Sequence, residues 1–299
     1  MPWIIFALLT PAMFGISNFI DKFLVEKRIK NPLLITLFMG VISFFLGIFI
    51  VITRGFPMLP QTEFVLIIIS GILLNFYLLP YFKALSLDDA SRIVPFFSFI
   101  PIFILILSYL FLGDRLTTRE LIGFAIVIFG GFILGAEKIH KGIFKPRNSL
   151  WFMIGSSFMY AIATILFKFV LVKEGLLTTF GYQSIGIGIG AFLMLLYTPL
   201  RSIFISEAKK FKVDTWSLMS LNETIAVGAE FSYAYAILLA PVALVSVVGS
   251  VQPFFVLIYG LILSIFFPHI VKEEIDKATI GTKAFSILLI FIGIYLLYT

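Results

Sequence analysis

MFGISNFIDKFLVEK (residues 13–27) and MYAIATILFKFVLVK (residues 159–173) stand nearly half a chain apart in a sequence of 299 residues. They match at Met13/Met159, Ile16/Ile162, Lys22/Lys168, Phe23/Phe169 and Lys27/Lys173. Apolar matches arise by chance between any two apolar helices, but two lysines at the same places inside apolar runs mark an internal repeat. A second pair agrees: residues 81–103 lie over residues 233–255, with Tyr81/Tyr233, Ala84/Ala236, Leu87/Leu239, Ser98/Ser250, Pro101/Pro253 and Phe103/Phe255 coincident. The two offsets, 146 (159 less 13) and 152 (233 less 81), differ only by a short insertion in the second copy.

The composition says where these repeats live. The chain is 61% hydrophobic and 13% charged, with a mean hydropathy of +1.11. A soluble domain is nearer half apolar and a quarter charged, so this is an integral membrane protein with little mass outside the bilayer. A spanning helix needs ~20 mostly apolar residues, and ten runs qualify: 2–24, 32–53, 62–85, 90–112 and 118–136, then 149–172, 176–200, 214–239, 241–267 and 277–298. Turn chemistry such as Asn31-Pro32, Gly113-Asp114 and Ala240-Pro241 separates them. The strand alternation of an outer-membrane barrel is absent, so the expected class is all-α. The first run starts close to Met1, with no basic stretch before it and no small-residue cleavage site after it, and reads as a retained helix rather than a signal peptide.

Five spans per repeat is an odd number, so the second copy must enter the membrane from the opposite side. The expected architecture is therefore ten transmembrane helices as two inverted five-helix repeats, residues 1–136 and 149–299, joined by the loop 137–148. Secondary transporters with this plan place the substrate near the midplane, where the halves meet.

The net charge of +6 resides in the loops between spans. Odd-numbered loops hold fourteen Lys and Arg and even-numbered loops four, which by the positive-inside rule places both termini outside. This pattern argues for membrane orientation and against nucleic-acid binding. Cysteine is absent and the two histidines, His140 and His269, fall in predicted loops, so disulfides, thiolate chemistry and a histidine metal site are excluded. Neither a nucleophile elbow nor an ATP-binding motif is present. The expectation is a non-enzyme without cofactor or metal, and without direct ATP drive.

Polar residues inside spans are costly and usually face the bundle interior or a cavity. Glu223 and Glu230 in span 8 are seven apart, on one helix face and ~10 Å apart along the axis; Tyr233 extends their stripe. Each Glu serves either transport or a structural bond to a neighbouring helix. Span 1 carries Phe14, Asn18 and Lys22 on one face, with Ser17 and Asp21 beside it; span 6 carries the counterparts Tyr160, Thr164 and Lys168. The two lysines lie near helix ends, where either snorkelling to the headgroups or substrate contact is open to them, and Asp21 could pair with a lysine. Span 3 offers Asn75, Tyr77, Tyr81 and Lys83. Spans 4 and 9 offer Ser98, Ser250 and Gln252 beside the matched Pro101 and Pro253, where a proline kink would bend both halves alike. The glycines of GYQSIGIGIGAF in span 7 read as helix packing, Gly186 and Gly190 forming one close-approach pair and Gly131 and Gly135 another in span 5. The acidic group Glu273, Glu274 and Asp276 reads as a solvated loop.

Taken together, ten short-looped spans in two repeats, FGISNFIDK with its partner YAIATILFK, and the block running from YFKAL through IVPFFSFIPIFILILSYLFLGDRLTTRELIGFAIVIFGGFIL resemble the drug/metabolite transporter superfamily, EamA type. The sequence departs from that family at Gly113-Asp114, where Gly-Glu is usual, at FPHIVKEEIDK in the second copy, and at Arg92. The resemblance implies a metabolite carrier, often an exporter, with a central cavity lined by spans 1, 3, 4, 6, 8 and 9. It also implies both termini in the cytoplasm, against the loop charges, so orientation stays open.

The expected function is a secondary transporter, an exporter, of small metabolites or amino-acid-like solutes in the cell (plasma or inner) membrane. It works by alternating access as a monomer or weak dimer, with protons through Glu223 or Glu230 as the candidate coupling ion. The alternative is a lipid or lipid-linked sugar flippase on the same scaffold.

Overall fold

A computed structural model of the chain describes residues 2–29, 31, 33–85, 87, 94–135, 148–266 and 277–298. The seam 137–147, both histidines, Arg92, the acidic loop 273–276 and the Lys22 side chain lie outside what is described. The described residues form α1 (Trp3–Lys27), α2 (Leu33–Thr53), α3 (Gln61–Phe76), α4 (Leu78–Leu85), a 3-10 turn (Val94–Ser98), α5 (Phe99–Phe111) and α6 (Thr118–Gly135). They continue with α7 (Asn148–Glu174), α8 (Leu176–Leu195), α9 (Thr198–Ala208), α10 (Val213–Leu239), α11 (Val242–Gly249), α12 (Gln252–Phe266) and α13 (Lys277–Tyr298).

Seven of these segments are long and apolar enough to cross a membrane, α3 with α4 and α11 with α12 each counting as one. The other expected spans correspond to α5, of 13 residues, α6, of 18, and α10, of 27. α10 has the length but is the most polar of the long helices, carrying Asn222, Glu223 and Glu230. The described residues are thus all-helical, and the chain is a multi-pass membrane protein. One helix was not foreseen: α9 occupies residues expected to be the end of span 7 and its following loop, with a proline in its first turn, where the missing N–H costs nothing.

Proline chemistry explains the broken helices. Pro80 cannot donate to the carbonyl of Phe76, the last residue of α3; Pro253 cannot donate to that of Gly249, the last residue of α11; Pro101 cannot donate to Phe97 in the 3-10 turn. The second copy has Ser232 where the first has Pro80, and there α10 runs unbroken. Glycine supplies the left-handed conformation at Gly175 (φ +79°), the single residue joining α7 to α8, and at Gly113 (φ +72°) after α5. Beyond Gly113, the Thr117 amide donates to the Glu120 carboxylate at 2.6 Å and the Glu120 amide to the Thr117 hydroxyl at 3.3 Å, a capping box that starts α6.

In lipid the helices gain nothing by hiding apolar surface, so close packing of small residues must hold them together. α8 lies between α2 and α3 with its glycines at the contacts. A Cβ at Gly186 would fall 2.6 Å from the Ile68 carbonyl oxygen, and one at Gly190 2.8 Å from Asn75 Cβ. α6 meets α13 the same way, a Cβ at Gly123 falling 2.9 Å from the Gly293 carbonyl oxygen. α10 packs along α1, α7 along α3, α4 and α5, and α11 is buried almost all round, from Val242 to Val248.

Candidate functional site

A small cavity of about 40 Å³ lies where α1, α3, α7, α8 and α10 converge. Phe14 of α1 and Leu74 of α3 close one part of it. α7 contributes Tyr160, Thr164 and Phe167, one face at i, i+4 and i+7. α8 contributes Gln183, and α10 contributes Glu230, Tyr233 and Ala234. At ~10–15 Å³ of such volume per water, the space has room for roughly three or four waters and is closed to a metabolite in this conformation.

The polar groups of the wall are tied down from behind. Thr164 Oγ1 donates back to the Tyr160 carbonyl at 3.0 Å. Gln183 Nε2 donates to Ser70 Oγ at 2.8 Å, which donates in turn to the Ala163 carbonyl at 2.7 Å, linking α8, α3 and α7. The Tyr160 ring packs edge-on against Tyr77, with centroids 5.2 Å apart. Among the described residues Glu230 has no hydrogen bond or ion pair, and the Tyr233 hydroxyl is buried without a hydrogen-bond partner.

Of the residues singled out from the sequence, the structure brings Tyr160, Thr164, Glu230 and Tyr233 together around this cavity. Glu223 sits two turns earlier, 3% exposed, with one carboxylate oxygen accepting from Ser43 Oγ at 3.3 Å and the other without a partner. Asn75 is buried at the crossing of α3 and α8, its Oδ1 unpartnered. Tyr81 packs against Phe97, with centroids 5.0 Å apart, and away from the cavity wall. Ser98 ends the 3-10 turn, Ser250 lies in the break between α11 and α12, and Gln252 opens α12; none borders the cavity. The Lys168 ammonium donates to the carbonyls of Ile237 and Ala240, closing the C-terminal end of α10. Asn18 is exposed, and it is its neighbour Ser17 that points inward.

Two elements escaped the reading of the sequence. Asn222, 2% exposed, accepts from Ser17 Oγ at 2.8 Å and donates to Asp21 Oδ1 at 2.7 Å, so Asp21 is held by an amide rather than a lysine. Gln183 was hidden among the glycines of its helix; a lone amide in an apolar run was the available signal. Two ion pairs sit at helix ends. Lys173 Nζ lies 2.6 Å from Glu63 Oε1, joining the end of α7 to the start of α3, and Arg28 lies 2.8 Å from Asp214, joining the end of α1 to the start of α10.

The EamA-like transporter family model matches residues 1–136. An uncharacterized protein of Methanocaldococcus jannaschii is 30% identical over 132 residues, 44% of this chain and 94% of that one. An uncharacterized transporter from the cobO 3' region of a Sinorhizobium species is 30% identical over 76 residues, 25% of this chain and 54% of that one. A crystal structure described only as that of a protein superposes with a TM-score of 0.69 at 16% identity, covering 98% of this chain and 93% of that one, and shares the fold. A membrane-spanning helical chain whose first half carries this family's pattern, matched along nearly the whole of a half-length relative, belongs to the EamA-like transporters of the drug/metabolite transporter superfamily.

Proposed function

We propose that the chain is a secondary carrier of small polar metabolites or amino-acid-like solutes, an exporter working by alternating access in the plasma or inner membrane as a monomer or weak dimer. The proposed architecture is ten spans in two inverted five-helix units, residues 1–136 and 149–299.

The observation that carries this is an exchange of packing partners between the halves. α1 packs on α10, and its repeat counterpart α7 packs on α3, the counterpart of α10. α1 also packs on α11 and α12, while α7 packs on α5 and the 3-10 turn. α2 meets α8 and α6 meets α13, each its own counterpart. The ion pairs follow the same exchange, Arg28–Asp214 in one set and Lys173–Glu63 in the other. A two-fold relation between the halves produces this pattern, and an axis in the membrane plane follows from five crossings per unit. The closed cavity lies at the meeting of the halves. Alternating access then amounts to opening it to one side or the other by rocking these units, with one ion pair near each face of the membrane. Coupling to protons belongs to Glu223 and Glu230, the carboxylates of α10 that have no cationic partner among the described residues. No observation favours the flippase alternative.

The chain has no cysteine, so single-cysteine variants test this directly. Leu74→Cys places a thiol on the cavity wall. In oriented proteoliposomes a membrane-impermeant thiol reagent is expected to reach it from either face; access from one face only, under all solute conditions, would refute alternating access.

A further inference from the structure

We infer that the solute carried through this cavity is a small organic cation, an amine or quaternary ammonium, seated on Glu230 inside a box of aromatic rings. This rests on the carrier reading and narrows it.

Three features of the wall agree. First, Glu230 is the one ionisable carboxylate among the lining residues, and no described cation answers it. The nearby α7 lysines are engaged elsewhere, Lys168 on the carbonyls ending α10 and Lys173 on Glu63. An isolated charge inside a membrane protein is strongly disfavoured unless a countercharge is brought to it. A cationic solute brings one.

Second, four aromatic rings, those of Phe14, Tyr160, Phe167 and Tyr233, border the same small space. Aromatic faces attract ammonium groups through the ring quadrupole, most strongly when water is excluded, and cages of this kind take quaternary ammonium ligands.

Third, the wall keeps hydrogen-bond acceptors beside the Tyr160 and Tyr233 hydroxyls. The Thr164 hydroxyl proton is used on the Tyr160 carbonyl and one Gln183 amide N–H on Ser70, which leaves the Thr164 lone pairs and Gln183 Oε1 to accept. Acceptors suit the N–H groups of an ammonium. A solute carboxylate would instead meet Glu230 with no Lys or Arg on the wall to balance it, which separates amines from zwitterionic amino acids.

The test uses the full chain purified in detergent, with thermal unfolding followed by tryptophan fluorescence. Four probes are compared at equal concentration: 2-phenylethylamine and tetramethylammonium as cations, 2-phenylethanol as the neutral isostere of the first, and phenylalanine as its zwitterionic analogue. The cations are expected to raise the unfolding midpoint and the other two to leave it unchanged. Glu230→Gln is expected to weaken the cations by roughly ten- to hundredfold, the loss of a charge-assisted contact, and Glu230→Asp to keep part of the affinity. Equal stabilisation by 2-phenylethanol or phenylalanine, unchanged affinity in Glu230→Gln, or no response to either cation would overturn the inference. The wild-type comparison decides even where a variant fails to fold. Leu74→Cys labelling of the same protein in oriented proteoliposomes separates the two levels: two-sided access without a cation response removes only the solute class, whereas one-sided access removes the carrier itself.

Discussion

Gly71→Ala and Gly155→Ala are the same chemical change in two mid-helix glycines, and the packing requires them to act in opposite directions. At Gly71 on α3 an added Cβ would lie 2.6 Å from the Ile187 amide nitrogen and 2.7 Å from the Gly186 carbonyl carbon, and closer still to the Gln183 carbonyl oxygen. All three are backbone of α8 and cannot rotate aside. Ordinary contact begins near 3.4 Å, so α3 and α8 must separate by at least 0.8 Å. A gap of that size forfeits roughly a quarter to a half of the dispersion energy of each atom pair it opens, and overpacking of this kind costs ~1–3 kcal/mol. Alanine's better helix propensity returns about 1 kcal/mol, leaving a net loss of up to about 2 kcal/mol. At Gly155 on α7 nothing lies within 4 Å of the added carbon, so only the propensity gain remains. Unfolding by SDS in mixed micelles, read on Trp3, Trp151 and Trp216, should place the Gly71→Ala midpoint below wild type and the Gly155→Ala midpoint at or above it. Equal midpoints, or Gly71→Ala the more stable, would mean that α8 does not approach α3 through its glycine face.

Three further outcomes are expected. In double-mutant cycles the Glu63–Lys173 pair should couple more strongly than Arg28–Asp214. The Glu63 side chain is 10% exposed and that of Lys173 43%, whereas both side chains of the second pair are well exposed, at 37% and 53%, and should yield ~0–1 kcal/mol; equal couplings would refute this. Asn222→Ala strips partners from both Ser17 and Asp21 and should lose ~1–3 kcal/mol, while Asn18→Ala one turn earlier on the exposed side of α1 should stay within about 0.5 kcal/mol. Equal effects would mean the network is absent. Lys168→Met leaves the Ile237 and Ala240 carbonyls without their ammonium donor, so hydrogen exchange at the α10–α11 corner should quicken, with Lys168→Arg restoring part of the protection; unchanged exchange would count against the cap.

The membrane class, the helical content and the bends at Pro101 and Pro253 were legible in the chain itself, because each depends on chemistry local to the backbone; the break at Pro80 was not foreseen, and Pro11 sits inside an unbroken α1. A run of apolar residues needs lipid or core around it wherever it lies, and Pro80, Pro101 and Pro253 lack an N–H in any fold. Partnership among the polar residues was not legible. Successive residues on a helix point ~100° apart, so Ser17 faces Asn222 while Asn18 faces outward, and no pattern along α1 says which of the two is inward. Likewise Lys168 reaches carbonyls 69 and 72 positions away, and Gln183 meets Ser70 from 113 positions away. Helix rotation and neighbour choice are set by how glycines and small residues interlock in three dimensions, and that interlocking, rather than any stretch of sequence, put a single carboxylate among four rings.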